Sequence, residues 1–281
     1  MKLAKIQRGD AVAPAIIEDT MAYLIGPWVT GAADELPFEA CGWSPDQLAD
    51  LRANARSGIP FAEVTLAMPA SPTTKFVCLG LNYRNHVEET HNDLPQNPTL
   101  FTKFGDALVG HEQPILRPRV SEHFDYEGEI SIVIGKPCRY VSVEDAMSYV
   151  FGYTIMLDGS VRDFQKHSPS AGKNFPRSGS LGPWIVTADE IPDPSQLALE
   201  TVLNGQQVQS TTAAMMLYDI PTVIAYVSQW TALAPGDVIA TGTPGGVGAR
   251  RTPPLWMKQG DVIEVSVSGI GTLRNPVENE G

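Results

Sequence analysis

Two glutamates stand two positions apart in the stretch FDYEGEISIVIGK, residues 124–136. Successive side chains of a β-strand point to opposite faces, so Glu127 and Glu129 would share one face, about 6.6 Å apart along the strand. Two carboxylates this close repel each other unless a cation or water lies between them. The pair therefore indicates either a solvent-exposed strand face or a site that binds a positively charged group.

A third carboxylate, Asp158, ends the apolar run of FGYTIMLDGSVRDFQ and is followed by Gly159. The connection from Glu129, a turn and one short helix, can return the chain beside the strand it left. The three acids could then meet, and a divalent cation would relieve their repulsion. Oxygen ligands without His or Cys are typical of Mg²⁺, Mn²⁺ or Ca²⁺ rather than Zn²⁺, and three protein ligands leave positions open for a chelating substrate.

Upstream of these acids, LGLNYRNHVEETHND places His86 and Glu89 three positions apart, on one face of a helix if the stretch is helical. A carboxylate that orients an imidazole and stabilises its charged form makes the imidazole a competent base toward water. The alternative is a surface helix with a solvated histidine, which is the state we expect for His91 on the same stretch.

The glycine-rich run IATGTPGGVGARR lacks both the spacing of a phosphate-binding P-loop and the strand-to-helix setting of a dinucleotide fingerprint. A strand followed by a tight turn with Thr241, Thr243 and backbone N–H groups could still hold a carboxylate. Further polar candidates are Arg162, Gln165 and Lys173, although each of them taken singly is more often a surface residue than a ligand.

The composition is that of a globular protein with enough apolar residues, 43% of 281, for a packed core. A net charge of −12 disfavours a sequence-independent grip on nucleic acid or on an anionic membrane. Neither a signal-peptide core nor an apolar run long enough to span a membrane is present, so we expect a cytoplasmic protein. Cys41, Cys78 and Cys138 lack metal-site spacing and are expected to be reduced thiols.

The elements that must position these residues divide into two predicted domains. Residues 1–66 form a small N-terminal domain with two strands around RGD and one helix. That helix has Ser44 as its N-cap and Pro45 at its first position, and it is expected to stop at Gly58. The segment MPASPTTK resembles a linker, and residues 67–281 are rich in strands and glycine, so we predict a β-rich α+β fold.

Three short helices are predicted in the second domain. One follows Asn82, one covers SVEDAMSYV with Ser142 as its N-cap, and one covers IPTVIAYVSQW. Residues 86 to about 98 are polar and have little apolar area to fix them, so we expect a mobile lid that becomes ordered over a ligand.

Seven stretches carry a resemblance to a known family. In chain order from about residue 75 to 277 they are CLGLNYRNHVEE, DYEGEISIVIGK, GYTIMLDGSVRDFQ, GKNFPRSGSLGPWIVTADEI, LNG, GDVIATGTPGGVG and GDVIEVSVSGIGTLRNPV. On these stretches the sequence resembles the fumarylacetoacetate hydrolase (FAH) superfamily, in its smaller bacterial and FAH-domain-containing branch. Residues 1–66 contribute little to the resemblance.

The resemblance implies an FAH-type mixed β-roll as the C-terminal domain, beside a small N-terminal α/β domain, with the active site at the mouth of the roll. It implies that Mg²⁺ or Mn²⁺, or Ca²⁺ in a crystal, is bound by Glu127, Glu129 and Asp158. The other implied site residues are His86 and Glu89 as a proton-transfer pair on the lid, Lys173 and Arg162 neutralising the substrate's oxyanions, Gln165 positioning the substrate and Thr243 contacting its carboxylate end.

Two departures from the family pattern lie where differences in substrate would be expressed. Residues 172–176 are GKNFP where relatives often have G-K-S-F-D, and the interval from Gln165 to Lys173 is shorter than in many relatives. In addition, Asn85 lies in the segment from which some relatives supply a fourth carboxylate, so we expect three metal ligands here.

The function that the sequence favours is metal-dependent hydrolytic C–C cleavage of a small 2,4-dioxo acid, such as an acylpyruvate, a fumarylpyruvate-like acid or a diketo-deoxy sugar acid. His86, assisted by Glu89, would activate water for attack on the distal carbonyl, and a pyruvate enolate would leave. Decarboxylation of an oxaloacetate-like acid and keto–enol tautomerisation or isomerisation are alternatives that the motifs do not separate. A catalytically silent ligand-binding relative is a further alternative, and a glycosidase is disfavoured because two acids on one strand face cannot flank a glycosidic bond.

The expected partners are the small dioxo acid and a second copy of the chain, with no nucleic acid and no membrane. A homodimer or higher oligomer is implied by the resemblance, together with a β-rich body whose exposed strand edges need covering.

Overall fold

The structure is a computed structural model that describes residues 1–31, 41, 43–55, 58–71 and 73–281. Strands account for 39% of the residues and helices for 22%, which confirms the β-rich α+β class. In chain order the strands are β1 (Lys2–Arg8), β2 (Ala11–Glu18), β3 (Met21–Leu24), β4 (Val29–Thr30), β5 (Gly58–Pro60), β6 (Thr65–Ala67), β7 (Phe76–Gly80), β8 (Thr99–Lys103), β9 (Leu108–Val109), β10 (Ile115–Arg117), β11 (Phe124–Asp125), β12 (Gly128–Ile134), β13 (Val150–Leu157), β14 (Ser160–Val161), β15 (Gly179–Thr187), β16 (Ala198–Leu203), β17 (Gln206–Thr212), β18 (Val238–Ala240), β19 (Val262–Val267) and β20 (Gly271–Asn279).

The described strands form one large mixed sheet, one smaller sheet and a short pair. The large sheet has thirteen strands along the path β5-β3-β2-β1-β15-β13-β12-β18-β7-β8, with β4, β6 and β9 paired at its side. The smaller sheet has the order β10-β20-β19-β16-β17, and β11 pairs with β14. Strands β12 and β13, which carry the predicted acids at their ends, therefore lie inside the large sheet and not at its edge.

The α-helices of the described residues are few and short, as predicted. They are α1 (Pro45–Asn54), α2 (Arg84–Thr90), α3 (Arg162–Gln165), α4 (Pro169–Lys173) and α5 (Ile220–Trp230). Helix α5 covers the predicted IPTVIAYVSQW, and the side chain of Asp219 caps it by accepting a hydrogen bond from the Thr222 N–H. None of these helices is long and apolar enough to cross a membrane.

The N-terminal elements follow the sequence prediction in part: the two predicted strands and the helix are present, but β3, β4, β5 and β6 were not predicted. β1 and β2 form an antiparallel pair on either side of RGD. Ser44 caps α1 through a reciprocal capping box with Gln47. The expected stop at Gly58 is wrong, because α1 ends at Asn54 and Gly58 opens β5; residues 56–57 lie outside the described part of the chain.

The large sheet runs across the predicted domain boundary. β1 pairs antiparallel with β15 and also with β6, so the N-terminal strands extend the sheet that contains β12 and β13. The stretch MPASPTTK joins β6 to β7, and Pro72 within it lies outside the described residues. The division of the chain after residue 66 stays a prediction.

The helix predicted over SVEDAMSYV is wrong. The chain forms turns and one 3₁₀ stretch, Ala146–Tyr149. Ser142 Oγ does accept a hydrogen bond from the Asp145 N–H, as an N-cap would. The turn does not extend into a helix because β13 begins at Val150, directly after the 3₁₀ stretch.

Strand β12 is buried on both faces. Ile130, Ile132 and Ile134 belong to the main hydrophobic cluster, while Val133 on the other face belongs to a second cluster. Every residue of β12 is buried, so the interpretation of the Glu129 face as a solvated surface is wrong. The core thus surrounds the strand that carries a carboxylate.

The three cysteines are free and buried, as expected for reduced thiols. Burial raises the pKa of Cys41 to about 12. Because the thiolate is the reactive form, this thiol is inert at neutral pH.

Candidate active site

Three buried carboxylates converge at the ends of β12 and β13. Gly128 lies opposite Leu157 in the antiparallel register, and the Asp158 N–H donates to the Glu127 carbonyl at 2.8 Å. One carboxylate oxygen from each of Glu127, Glu129 and Asp158 lies within 4.8 Å of the other two. The acids meet as the sequence predicted, and their role as metal ligands stays a prediction.

Two lysines pair with this cluster. Lys173 Nζ lies 2.5 Å from Glu127 Oε2 and 2.8 Å from Asp158 Oδ2, and Lys103 Nζ lies 2.7 Å from Asp158 Oδ1. Burial alone would lower the pKa of Lys173, but the charges of Asp158 and Glu127 outweigh it and raise that pKa. The two carboxylates therefore favour the charged ammonium form of Lys173.

Arg162 is held by three neighbours. Its Nε donates to Asp125 Oδ2 at 2.8 Å, an Nη donates to Gln165 Oε1 at 2.9 Å, and the other Nη forms an ion pair with Glu127 Oε1 at 2.7 Å. Burial would raise the pKa of Glu127, but Lys173 and Arg162 outweigh burial and lower that pKa to about 2. Glu127 is a carboxylate, and both predicted oxyanion-binding cations contact protein carboxylates.

Glu129 forms no ion pair with a lysine or arginine among the described residues. Its Oε2 accepts a hydrogen bond from the Gly242 N–H at 3.0 Å, but its buried Oε1 has no hydrogen-bond partner in the described part of the chain. Burial, and then the charges of Asp158 and Glu127, raise its pKa well above the usual value. An orphaned oxygen beside two further carboxylates is a donor set that a hard divalent cation completes, so these residues fit Mg²⁺ or Mn²⁺.

Helix α2 brings the predicted proton-transfer pair together. His86 Nδ1 lies 2.7 Å from Glu89 Oε1, and Glu89 Oε2 accepts a hydrogen bond from the Gly246 N–H at 2.8 Å. A carboxylate that accepts from the Nδ1–H leaves the lone pair of the imidazole on Nε2, for which no partner is found among the described residues. His91 ends the helix as an exposed residue, as expected. Motion of this segment as a lid stays a prediction.

One cavity of about 590 Å³ collects most of the predicted site. The predicted residues that line it are His86, Glu127, Arg162, Gln165, Lys173 and Thr243. The other three, Glu89, Glu129 and Asp158, are not among the lining residues but contact or adjoin them. The Thr243 hydroxyl donates to the Gly128 carbonyl at 3.0 Å and accepts from Gln209 Nε2 at 2.8 Å, so both of its hydrogen-bonding functions are used within the protein.

The glycine-rich run binds carboxylates, and they belong to the protein itself. Its backbone N–H groups donate to four side chains: Gly242 to Glu129, Gly245 to Asn85, Gly246 to Glu89, and Gly248 together with Ala249 to Asp125. At Gly246 the backbone has φ +104, and an added Cβ would lie 2.3 Å from the Val208 carbonyl. Only glycine fits there. The run therefore ties α2, β11 and β12 into one site.

Sequence reasoning missed three residues of this site. Lys103 also donates to the carbonyls of Lys173 and Gly159, so it joins β8 to both acid-bearing segments. Asp125 and Gln209 bind Arg162 and Thr243 respectively. A lysine inside the apolar run TLFTKF is the one available signal, and nothing local distinguishes the other two from surface residues.

The comparison with known proteins agrees with this arrangement. Residues 75–278 match the family described as fumarylacetoacetate (FAA) hydrolase, C-terminal. The chain belongs to the FAH family. The match spans both acid-bearing strands, α2 and the glycine-rich run, and it confirms the resemblance seen in the sequence.

Relatives within the FAH family carry out more than one reaction. The mitochondrial oxaloacetate tautomerase of Rattus norvegicus is 39% identical over 222 residues, which are 78% of this chain and 71% of that protein. The 5-carboxymethyl-2-hydroxymuconate delta-isomerase of Mycobacterium smegmatis has a TM-score of 0.79 at 33% identity, and covers 100% of both chains. A maleylpyruvate hydrolase of Sphingobium sp., solved with manganese(II) and pyruvate, has a TM-score of 0.83 at 28% identity over 100% of both chains. These FAH-family relatives are enzymes.

Proposed function

We propose that this FAH-family protein is a divalent-metal-dependent enzyme that interconverts the keto and enol forms of a small 2-oxo dicarboxylic acid such as oxaloacetate. The observation that carries the proposal is one oriented base, His86 with Glu89, in a cavity that also contains Lys173 and Arg162. Enolisation needs one base and stabilisation of one developing negative charge, and these residues supply both. The names of relatives at 39% and 38% identity support the same reaction.

Proton transfer belongs to the histidine. Glu89 holds Nδ1 of His86 and stabilises the imidazolium, so Nε2 can accept a proton from C3 of the keto acid. The same Nε2–H then donates that proton to the oxygen on C2, which completes the enol and restores the neutral imidazole. The reverse sequence regenerates the ketone, and no atom is gained or lost.

Stabilisation of the developing negative charge is the role of other groups of the same site. The positive charges of Lys173 and Arg162 favour negative charge on the C2 oxygen. Glu127, Glu129 and Asp158 would hold Mg²⁺ or Mn²⁺, which when bound polarises the 2-oxo acid as a Lewis acid.

Hydrolytic cleavage of a 2,4-dioxo acid is the second candidate. It uses the same His86–Glu89 pair as a base toward water, and the 590 Å³ cavity has room for a water molecule beside the acid. The full-length likeness to a maleylpyruvate hydrolase favours it. We rank it second because it needs, in addition, a water held between His86 and the distal carbonyl.

The test compares three reactions on one set of variants. Enol–keto conversion of oxaloacetate is followed by its ultraviolet absorbance, in parallel with oxaloacetate decarboxylation and acetylpyruvate hydrolysis, each with Mg²⁺ and with EDTA. We expect tautomerisation to be the fastest, to require the metal, and to fall about 10²–10⁴-fold in His86→Ala. His91→Ala is the matched control and should retain full activity.

Each outcome has a distinct meaning. If acetylpyruvate is cleaved faster than the oxaloacetate enol is converted to the ketone, the hydrolase would replace the tautomerase as the proposed function. Full activity of His86→Ala in all three assays would remove this residue from the active site. No turnover of any of these acids with Mg²⁺ or Mn²⁺ would contradict both reactions and favour a ligand-binding protein.

A further inference from the structure

The outer part of the cavity carries two cations that have no partner among the residues the structure describes. Lys166 follows α3, and Arg250 ends the 3₁₀ stretch Gly248–Arg250; both are exposed and both line the cavity. Neither side chain has a hydrogen bond or an ion pair with any residue that the structure describes. The adjacent Arg251 differs, because its guanidinium donates to the Tyr126 hydroxyl and to the Val208 carbonyl.

An aromatic pair and one acid complete this part of the wall. The rings of His123 and Trp256 lie 5.0 Å apart at an interplanar angle of 42°. Asp163 also lines the cavity, but its Oδ1 accepts a hydrogen bond from Ser121 Oγ at 2.7 Å and its Oδ2 lies 3.9 Å from His123 Nδ1. The carboxylate of Asp163 is therefore engaged, while the charges of Lys166 and Arg250 remain available to a ligand.

Lys166 and Arg250 are positively charged, whereas the whole protein has a net charge of −12. The chain has 32 acidic and 20 basic residues, so two cations on a concave wall, unpaired within the described part of the chain, form a local positive potential. A guanidinium with free N–H groups binds a carboxylate in a bidentate manner, and an ammonium adds a point charge. The chemistry of this wall therefore selects an anionic group.

The more deeply buried residues of the cavity would contact only one end of the proposed substrate. His86, Lys173 and Arg162 face the 2-oxo acid end under the proposed function, on which this inference rests. The cavity of about 590 Å³ falls in the range of about 300–1,000 Å³ that is typical of ligand pockets, which is more than a four-carbon acid needs. Part of the cavity, together with the charges of Lys166 and Arg250, is therefore left for a longer ligand.

We infer that Lys166 and Arg250 bind the far carboxylate of a 2-oxo diacid longer than oxaloacetate, whose connecting carbons pack against Trp256 and His123. These four residues form the distal subsite. It distinguishes a long 2-oxo diacid from a simple acylpyruvate, which has no second carboxylate. Both charges are exposed, so the preference for the diacid weakens as ionic strength rises.

The test uses two six-carbon probes that differ only in the far group. 2-Oxoadipate has a distal carboxylate, and 2-oxohexanoate ends in a methyl group. Calorimetric titration of the protein with Mg²⁺ should give binding of 2-oxoadipate that is tighter by about tenfold or more. In the Lys166→Gln/Arg250→Gln double variant this ratio should fall to about one, with 2-oxohexanoate binding unchanged. Lys258→Gln, which removes an exposed lysine that does not line the cavity, should retain the wild-type ratio.

The outcomes separate this inference from the proposed function. Equal binding of both probes by the wild type, or a preference that persists in the double variant, would overturn the distal subsite even if oxaloacetate is turned over. A preference that the double variant abolishes, without any turnover of oxaloacetate, would support the subsite and refute the reaction. Failure of both probes to bind would refute the distal subsite, while turnover of oxaloacetate would decide separately whether the proposed reaction stands.

Discussion

Glu129 is the carboxylate of the cluster that no lysine or arginine pairs with among the described residues. Glu127 contacts Lys173 and Arg162, and Asp158 contacts Lys173 and Lys103. Each of those carboxylates has a permanent counter-charge, whereas Glu129 has one backbone N–H and an orphaned oxygen. A divalent ion would therefore interact most strongly with Glu129.

Replacement of this glutamate should weaken metal binding with little change in shape. Glu129→Gln keeps an oxygen that can accept from the Gly242 N–H but removes the charge, so we expect the affinity for Mn²⁺ to fall by about tenfold or more. Calorimetric titration with Mn²⁺ measures it, with Glu144→Gln as the control at an exposed glutamate. Unchanged affinity would place the metal elsewhere.

Lys103 should prove essential to stability. Its side chain is fully buried and donates to Asp158 and to the carbonyls of Lys173 and Gly159. Lys103→Met leaves the buried Oδ1 of Asp158 and two carbonyls without their donor, so we expect a loss of about 3–5 kcal/mol in the free energy of unfolding. Urea denaturation measures it, and Lys258→Met, at an exposed lysine, should change stability by less than about 0.5 kcal/mol. A loss near that control value would show that Asp158 does not depend on this lysine.

At the scale of elements, the glycine-rich run joins parts that are far apart in the sequence. Its N–H groups hold Glu89 on α2, Asp125 on β11 and Glu129 on β12. The partner of His86, the partner of Arg162 and the carboxylate with the orphaned oxygen are thus all held by the same backbone segment. A change in this run should act on catalysis through the groups that it positions.

Gly246→Ala tests that dependence. The new Cβ would lie 2.3 Å from the Val208 carbonyl, so the loop must shift and the contact from the Gly246 N–H to Glu89 must lengthen. We expect kcat of the proposed tautomerisation to fall by about tenfold or more, since His86 loses an oriented partner. Gly205→Ala is the control: Gly205 also has positive φ, at +78, but no atom lies within 4 Å of an added Cβ. Both variants should lose thermal stability, and equal kcat in the two would refute the role of the run.

At the scale of the molecule, the sheets leave edges that a partner could cover. In the described sheets β8 and β17 are terminal strands, and Phe104 beside β8 is 57% exposed. We therefore retain the prediction of a homodimer or higher oligomer. Sedimentation velocity at micromolar concentration should give a particle of at least about 61 kDa, twice the chain mass of 30.4 kDa. A 30 kDa particle would contradict it.

The sequence by itself determined the features that depend on local periodicity. Alternation along a strand put Glu127 and Glu129 on one face, and helical spacing put His86 beside Glu89. The run that ends at Asp158 returned beside β12, as a short connection favours. Each of these follows from backbone geometry over a few residues, together with family motifs that lie in order along the chain.

The tertiary structure alone decided which distant residues complete the site. Lys103 reaches Asp158 across 55 positions, and the Gly128 N–H meets Gln209 across 81. The 3₁₀ stretch in place of the helix after Ser142 was likewise set by the start of β13. Such contacts depend on strand order and register in the sheet, and no local pattern of residue types encodes which strands become neighbours.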